Sequence, residues 1–210
     1  MTLHWEAVPP AVAGAYRSIS RALAGSDFFL AGGTALALQA GHRLSADLDL
    51  FSPSFDAVEQ VLTALRRVEP ALAVTLTAPR TLYVELHGVQ ASFFGTSYPA
   101  LAPPVSSLPD LLPLAHPDDL AAMKLAAIAS RGSRKDFTDL WLLITTRRTL
   151  AEYLARYQRK YAAFDLGHVV RSLAYFDDAD AEPPLRLLIE APWERIKSDF
   201  SAWVEDLVRQ

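Results

Sequence analysis

Two adjacent glycines, Gly32 and Gly33, stand between a short apolar run, Asp27 to Ala31, and an Ala- and Leu-rich stretch, Thr34 to Gln39. The run predicts a buried strand, the glycines a tight turn, and the stretch a helix that Gly41 closes. Ala46 to Phe51 then alternates polar and apolar residues and predicts a second strand. Helix and strand must therefore share one small core, so the chain is read as α/β, in the segregated α+β sense.

The same segment carries chemistry. A glycine pair before a helix lets backbone approach a bulky anion, since no Cβ intervenes. The helix start adds unsatisfied N–H groups and a positive dipole end, and Thr34 adds a hydroxyl. Asp47 and Asp49 lie two apart on the predicted strand, so both carboxylates share one face while Leu48 and Leu50 point to the core. Two like charges side by side are costly without a cation, and Mg²⁺ takes carboxylate and phosphate oxygens. The competing reading is a strand whose acids simply face water.

Upstream, Pro10 to Ala24 predicts a helix, and Phe55 to Arg67 an amphipathic one. Three β-like segments follow: Leu72 to Thr77, Thr81 to Leu86 and Val89 to Phe94. His87-Gly88 fits a two-residue hairpin turn between the last two. Gly95 to Pro117 holds six of the fourteen prolines and reads as an irregular connector. Beyond it the period is helical, over Asp118 to Arg131, Arg134 to Thr146, Leu150 to Tyr161, Leu166 to Phe176 and Trp193 to Val208. The expected division is residues 1–95 as a mixed-sheet core, 96–117 as the Pro-rich connector, and 118–210 as a helical region completing a cleft.

Composition excludes several classes. With no cysteine, disulfides, thiolate metal sites and cysteine catalysis are ruled out. A net charge of −4 argues against a protein that coats nucleic acid, so any RNA site is a local patch. No apolar stretch is long enough for a membrane helix, and Met1 to Glu6 does not read as a signal peptide, so a cytoplasmic location is expected. No Gly-x-Ser-x-Gly elbow supports serine hydrolysis. His4, His42, His87, His116 and His168 lack ligand spacing and read as surface or capping residues. Asp177 to Glu182 reads as a solvated acidic loop, and Trp141, Trp193 and Trp203 as core.

Gly-Gly, a short helix and Asp-x-Asp on the next strand resemble the active-site signature of polymerase-β-like nucleotidyltransferases. More narrowly, FLAGGTALALQAGHRLSADLDLFS resembles the AbiEii/AbiGii-type nucleotidyltransferase toxin family. HPDDLAAMKLAAIASRGSRKDFTDLWLLI resembles its second conserved block, and SLAYFDDADAEPP its short members, so the likeness spans nearly the whole chain. It implies a nucleotidyltransferase-type small mixed sheet followed by a helical bundle. It further implies transfer of a nucleoside monophosphate from an NTP, with Mg²⁺ or Mn²⁺, to an acceptor such as an RNA or tRNA 3′ end. The setting would be a toxin opposed by an antitoxin protein.

From helical spacing alone, Lys124 and Arg131 share one face, and a solvated surface explains them as readily as a phosphate site. The resemblance assigns Lys124 and Asp136 to the active site, implying triphosphate contact for Lys124. For Asp136 it implies orientation of Lys124 or another base, or activation of the acceptor hydroxyl. Arg131, Arg134 and Lys135 then become candidates for nucleotide or acceptor contact, while Asp139 reads as structural.

One departure stands out. The superfamily carries a third carboxylate on a later strand, and Ser92 occupies the expected place. If His87-Gly88 is the turn, Glu85 pairs with Gln90 and Tyr83 with Ser92, putting Glu85 and Ser92 on the face opposite the apolar one. Glu85 is thus a candidate third metal ligand, against a solvent-facing reading. Two further functions stay open: a catalytically degenerate nucleotide- or partner-binding module, and transfer to a protein or small-molecule acceptor.

Overall fold

The computed structural model describes residues 2–162 and 165–209. It divides into two compact units, one of residues 1–97 with 103–115 and one of residues 98–102 with 116–210.

The first unit opens with a 3₁₀ turn, Trp5–Ala7, and helix α1, Pro10–Ala22. The order is then β1 (Phe29–Ala31), α2 (Gly32–Ala40), β2 (Leu48–Ser52), α3 (Val58–Val68), β3 (Ala73–Ala78), β4 (Thr81–Leu86) and β5 (Val89–Gly95). The five strands form one mixed sheet in the order β1-β2-β5-β4-β3. Only β2 and β5 run parallel; the other pairs are antiparallel. Leu30, Leu50, Phe93 and Leu82, one from each of four strands, are fully buried on one face. α1 inserts Val12, Tyr16 and Ile19 into the core of this unit. The Tyr16 hydroxyl donates to the Leu112 carbonyl, and burial pushes its pKa well up.

The hairpin turn is as expected: His87 and Gly88 both have positive φ, and Leu86 pairs with Val89, Glu85 with Gln90 and Tyr83 with Ser92. Several boundaries differ: β1 starts at Phe29 rather than Asp27, the helix expected over Leu166 to Phe176 ends at Ser172, and three others lie close to the glycine motif or its sheet. The glycine pair lies inside the first turn of α2, not before it. β2 begins at Leu48 rather than Ala46, because the Asp47 carbonyl accepts from the Thr34 hydroxyl instead of entering the ladder. The amphipathic helix starts at Val58 rather than Phe55. The connector is not slack either. Leu30 N–H donates to the Pro113 carbonyl and Ala115 N–H to the Leu30 carbonyl, so residues 103–115 close along β1. Proline lacks a donor, but its carbonyl and the amides of its neighbours still pair.

The second unit contains α4 (Pro117–Arg131), α5 (Arg134–Thr146), α6 (Leu150–Lys160), α7 (Leu166–Ser172), α8 (Asp177–Ala181) and α9 (Trp193–Arg209). Gly132, with φ +57, ends α4, and a capping box at Thr149 and Glu152 starts α6. Phe137 of α5 packs against Phe176, Trp193 and Phe200, so Trp193 is spent on the core. The acidic run corrects expectation. Residues 177–181 form helix α8, and Glu182 accepts from Ser133 Oγ at 3.0 Å and Arg134 N–H at 2.9 Å, capping α5. No helix among the described residues is long and apolar enough to cross a membrane.

Candidate active site

β1 leaves the sheet at Ala31, which pairs with Asp49. The next residue, Gly32, has φ +65, and any Cβ there would overlap the Asp49 carboxylate. This position needs glycine twice, for the left-handed backbone and for the acid beside it. The two halves of the sequence motif thus meet physically. A Cβ on Gly33 would overlap the Arg43 guanidinium and come within 3.1 Å of Ser45 Oγ. Ala31, the N-cap of α2, gives no side-chain cap, so the first-turn amides lack that partner.

Asp47 is exposed at the entrance to β2, and Asp49 is half-buried within it. Leu48 and Leu50 are buried, as the alternation required. Thr34 differs from expectation. It is buried, its hydroxyl donates to the Asp47 carbonyl, and it shares a 2.9 Å hydrogen bond with Ser45 Oγ. The hydroxyl thereby ties the start of α2 to the loop bearing Asp47. Arg43 escaped sequence reasoning altogether. It is only 4% exposed, its Nη1 donates to the Leu44 carbonyl, and it packs over Gly33. An arginine buried beside a glycine turn is legible only once the loop is folded. His42, expected at the surface, is also buried, whereas His116 does cap α4, accepting from Asp118 N–H at 3.1 Å.

Asp49 pairs laterally with Ser92 on β5, so Ser92 does occupy the neighbouring position where a third acid was sought. Glu85 is not a substitute. It is exposed on β4, and β5 intervenes between it and β2. Two strand spacings, about 10 Å, exceed what one ion's ligands span. Among the described residues no group of three His, Cys, Asp or Glu side chains is placed to share a metal. The carboxylates of Asp47 and Asp49 are nevertheless hard oxygen donors of the kind Mg²⁺ or Mn²⁺ takes. They suit one ion whose remaining positions fall to phosphate and water oxygens.

In the second unit, α4 and α5 bring Lys124, Arg131 and Asp136 together. Lys124 Nζ lies 2.8 Å from Asp136 Oδ1 and 2.7 Å from Asp139 Oδ2. Arg131 donates to Asp136 from Nε at 2.8 Å and Nη2 at 3.1 Å. Asp136 and Asp139 are fully buried and Lys124 nearly so. Burial alone would discharge Lys124, but the Asp139 and Asp136 charges outweigh it and raise its pKa. Burial likewise opposes ionisation of Asp136, yet Lys124 and Arg131 hold its pKa below the ordinary value. Lys124 is therefore not an open point charge. Arg131, with its side chain 56% exposed, is the accessible end of the cluster. Lys135 is half-buried with no ion-pair partner among the described residues. Arg134 is used structurally: its guanidinium donates to the Ala179 and Asp180 carbonyls and lies 5.0 Å from the Trp193 ring centroid.

Comparison with known proteins gives the family and the fold. Residues 15–208 match the family described as nucleotidyl transferase AbiEii toxin, type IV TA system. The chain belongs to the AbiEii nucleotidyltransferase toxin family. An uncharacterized protein of Aquifex aeolicus (strain VF5) is 37% identical over 187 residues, covering 86% of this chain and 88% of that protein. Among solved structures, MenT4, a nucleotidyltransferase toxin of Mycobacterium tuberculosis H37Rv, has a TM-score of 0.60 at 19% identity, over 93% of this chain and 83% of that one. A putative nucleotidyltransferase from H. pylori has a TM-score of 0.59 at 16% identity, over 94% and 93%. At such identities the two structures show that this chain and these proteins share a nucleotidyltransferase fold.

Proposed function

We propose that the chain transfers a nucleoside monophosphate from an NTP to an acceptor hydroxyl, as the toxin of a toxin–antitoxin pair. The observation that carries this is the packing of the Asp49 carboxylate against the left-handed backbone of Gly32, with Asp47 exposed beside it. The uncapped amides at the start of α2 bind the triphosphate. Asp47 and Asp49 hold Mg²⁺ or Mn²⁺, which when bound neutralises phosphate charge and polarises the phosphoryl oxygens. Thr34 and Ser45 keep the Asp47 loop in place. In the reaction an acceptor oxygen bonds to the α-phosphorus, the bond from that phosphorus to the β-bridging oxygen breaks, and pyrophosphate leaves. The acceptor proton passes to solvent. In the second unit, Arg131 and Lys135 are the candidates for acceptor contact, and Asp136, itself paired with Lys124, holds Arg131.

The favoured acceptor is an RNA, in particular a tRNA 3′ end, in line with the toxin family. One observation favours a second reading, nucleotide binding without turnover: Ser92 lies beside Asp49 where an acid would complete the site. Both are tested by incubating the protein with each labelled NTP, Mg²⁺ or Mn²⁺ and total tRNA, beside an Asp47→Ala/Asp49→Ala control. Label on RNA that the control abolishes is expected. Label on the protein alone would move the acceptor to a side chain. No transfer to RNA or to the protein, with NTP binding unchanged in the control, would overturn the proposal.

A further inference from the structure

The face of the sheet that carries Asp49 continues past it. Side chains two apart on a strand share a face, so Phe51 follows Asp49 about 6.7 Å along β2. The register sets Phe29, Phe51 and Phe94 side by side on β1, β2 and β5, and places Ser92 and Tyr83 in the row of Asp49. Ring centroids are 6.2 Å apart for Phe29–Phe51, 5.1 Å for Phe51–Phe94 and 5.6 Å for Tyr83–Phe94. Four strands thus contribute one continuous aromatic strip, every ring half-buried. The core of this sheet is on the other face, under Leu30, Leu50, Phe93 and Leu82. Ser92, between Asp49 and Tyr83, is the low point of the strip and has no side-chain hydrogen bond among the described residues.

Cross-strand aromatic pairing stabilises sheets in general, but such pairs do not require a position next to a metal-binding acid pair. We propose that Phe51 and Phe94, flanked by Phe29 and Tyr83, form the platform on which the nucleobase of the NTP stacks. The inference rests on the nucleotidyltransferase reading and specifies how that site holds the base. Phosphates at Gly32 and Gly33, the metal at Asp47 and Asp49, and the base at Phe51 follow one line along β2. The ribose spans the step between the last two. A nucleobase suits this strip better than an RNA strand does. Single-strand grooves combine stacking rings with cations that track the backbone, and the strip residues carry no charge. They also offer ring faces rather than fixed donors and acceptors, so stacking here discriminates weakly among bases.

The test is equilibrium binding, in Mg²⁺, of a non-hydrolysable ATP analogue and of inorganic tripolyphosphate. The double variant Phe51→Leu/Phe94→Leu keeps apolar bulk and removes the ring faces. It should bind the analogue about tenfold more weakly and tripolyphosphate as before. In Phe51→Trp, the analogue should quench the new indole fluorescence while tripolyphosphate does not. Loss of both ligands together, or of neither, overturns the platform, as does an indole that ignores the analogue. If a single-stranded oligonucleotide loses affinity in the Leu variant while the analogue does not, the occupant is the acceptor and the proposal is wrong. Asp47→Asn/Asp49→Asn separates the underlying reading. Tripolyphosphate binding unaffected by that change sinks the metal–triphosphate site itself, whatever the ring variants show.

Discussion

Two groups of charged residues in this protein have opposite designs. Around Lys124, unlike charges are buried and matched: one ammonium between two carboxylates, with a guanidinium closing Asp136 from outside. At β2, two like charges stand together, one exposed and one pressed against a glycine. The first arrangement ties α4 to α5. The second sets an exposed acid beside a half-buried one at a glycine turn, a pair of hard oxygen donors of the kind a divalent cation takes. Charged residues therefore point to structure where opposite charges are buried together, and to a ligand where acids gather beside a glycine turn.

The largest difference should appear in stability. Lys124→Met removes the cation shared by two buried carboxylates, and removal of one partner from a buried ion pair costs about 3–5 kcal/mol. Denaturant unfolding should show that loss for Lys124→Met and close to none for Asp47→Ala. Comparable losses in both variants would erase the contrast. In nucleotidyl transfer the order reverses. Asp47→Ala or Asp49→Ala should lower the rate by more than about a hundredfold, Asp47→Ala at unchanged melting temperature. Gly32→Ala comes next. Left-handed backbone costs a residue with a Cβ about 1–2 kcal/mol, and the displaced Asp49 carboxylate should raise the metal concentration needed for half-maximal transfer. Normal metal dependence in Gly32→Ala would separate the two halves of the motif.

A smaller effect concerns pH. The folded-state pKa of Asp136 is lowered, so its contribution is complete above the ordinary aspartate value, about 3.9, and is lost as pH falls through its folded pKa. The folded-state pKa of Lys124 is raised, so its contribution is complete below the ordinary lysine value and is lost as pH rises through its folded pKa. Stability should be flat between those limits and decline outside them. Asp136→Asn should be destabilised at neutral pH and lose less on acidification than the parent. An unchanged acid limb in that variant would remove Asp136 from the account.

Local rules made much of this legible. His87-Gly88 demanded a tight hairpin, and its register followed down to the Tyr83–Ser92 pair. The alternation around Leu48 and Leu50 told which side of β2 is buried. What stayed hidden depended on contacts distant in sequence. Thr34 looked like a phosphate donor because nothing local shows that Ser45 and the Asp47 carbonyl occupy its hydroxyl. Lys124 looked available because its partners belong to the next helix. The aromatic strip is assembled from four strands, so no single segment betrays it.

The central claim, a metal-bound triphosphate at Gly32, Asp47 and Asp49, is tested most directly by calorimetric titration of a non-hydrolysable NTP analogue with and without Mg²⁺. The parent and Asp47→Asn/Asp49→Asn would be compared, with unfolding measured on both. The account predicts Mg²⁺-dependent binding that the double variant loses while it remains folded. Equal Mg²⁺-dependent affinity in parent and variant would contradict it.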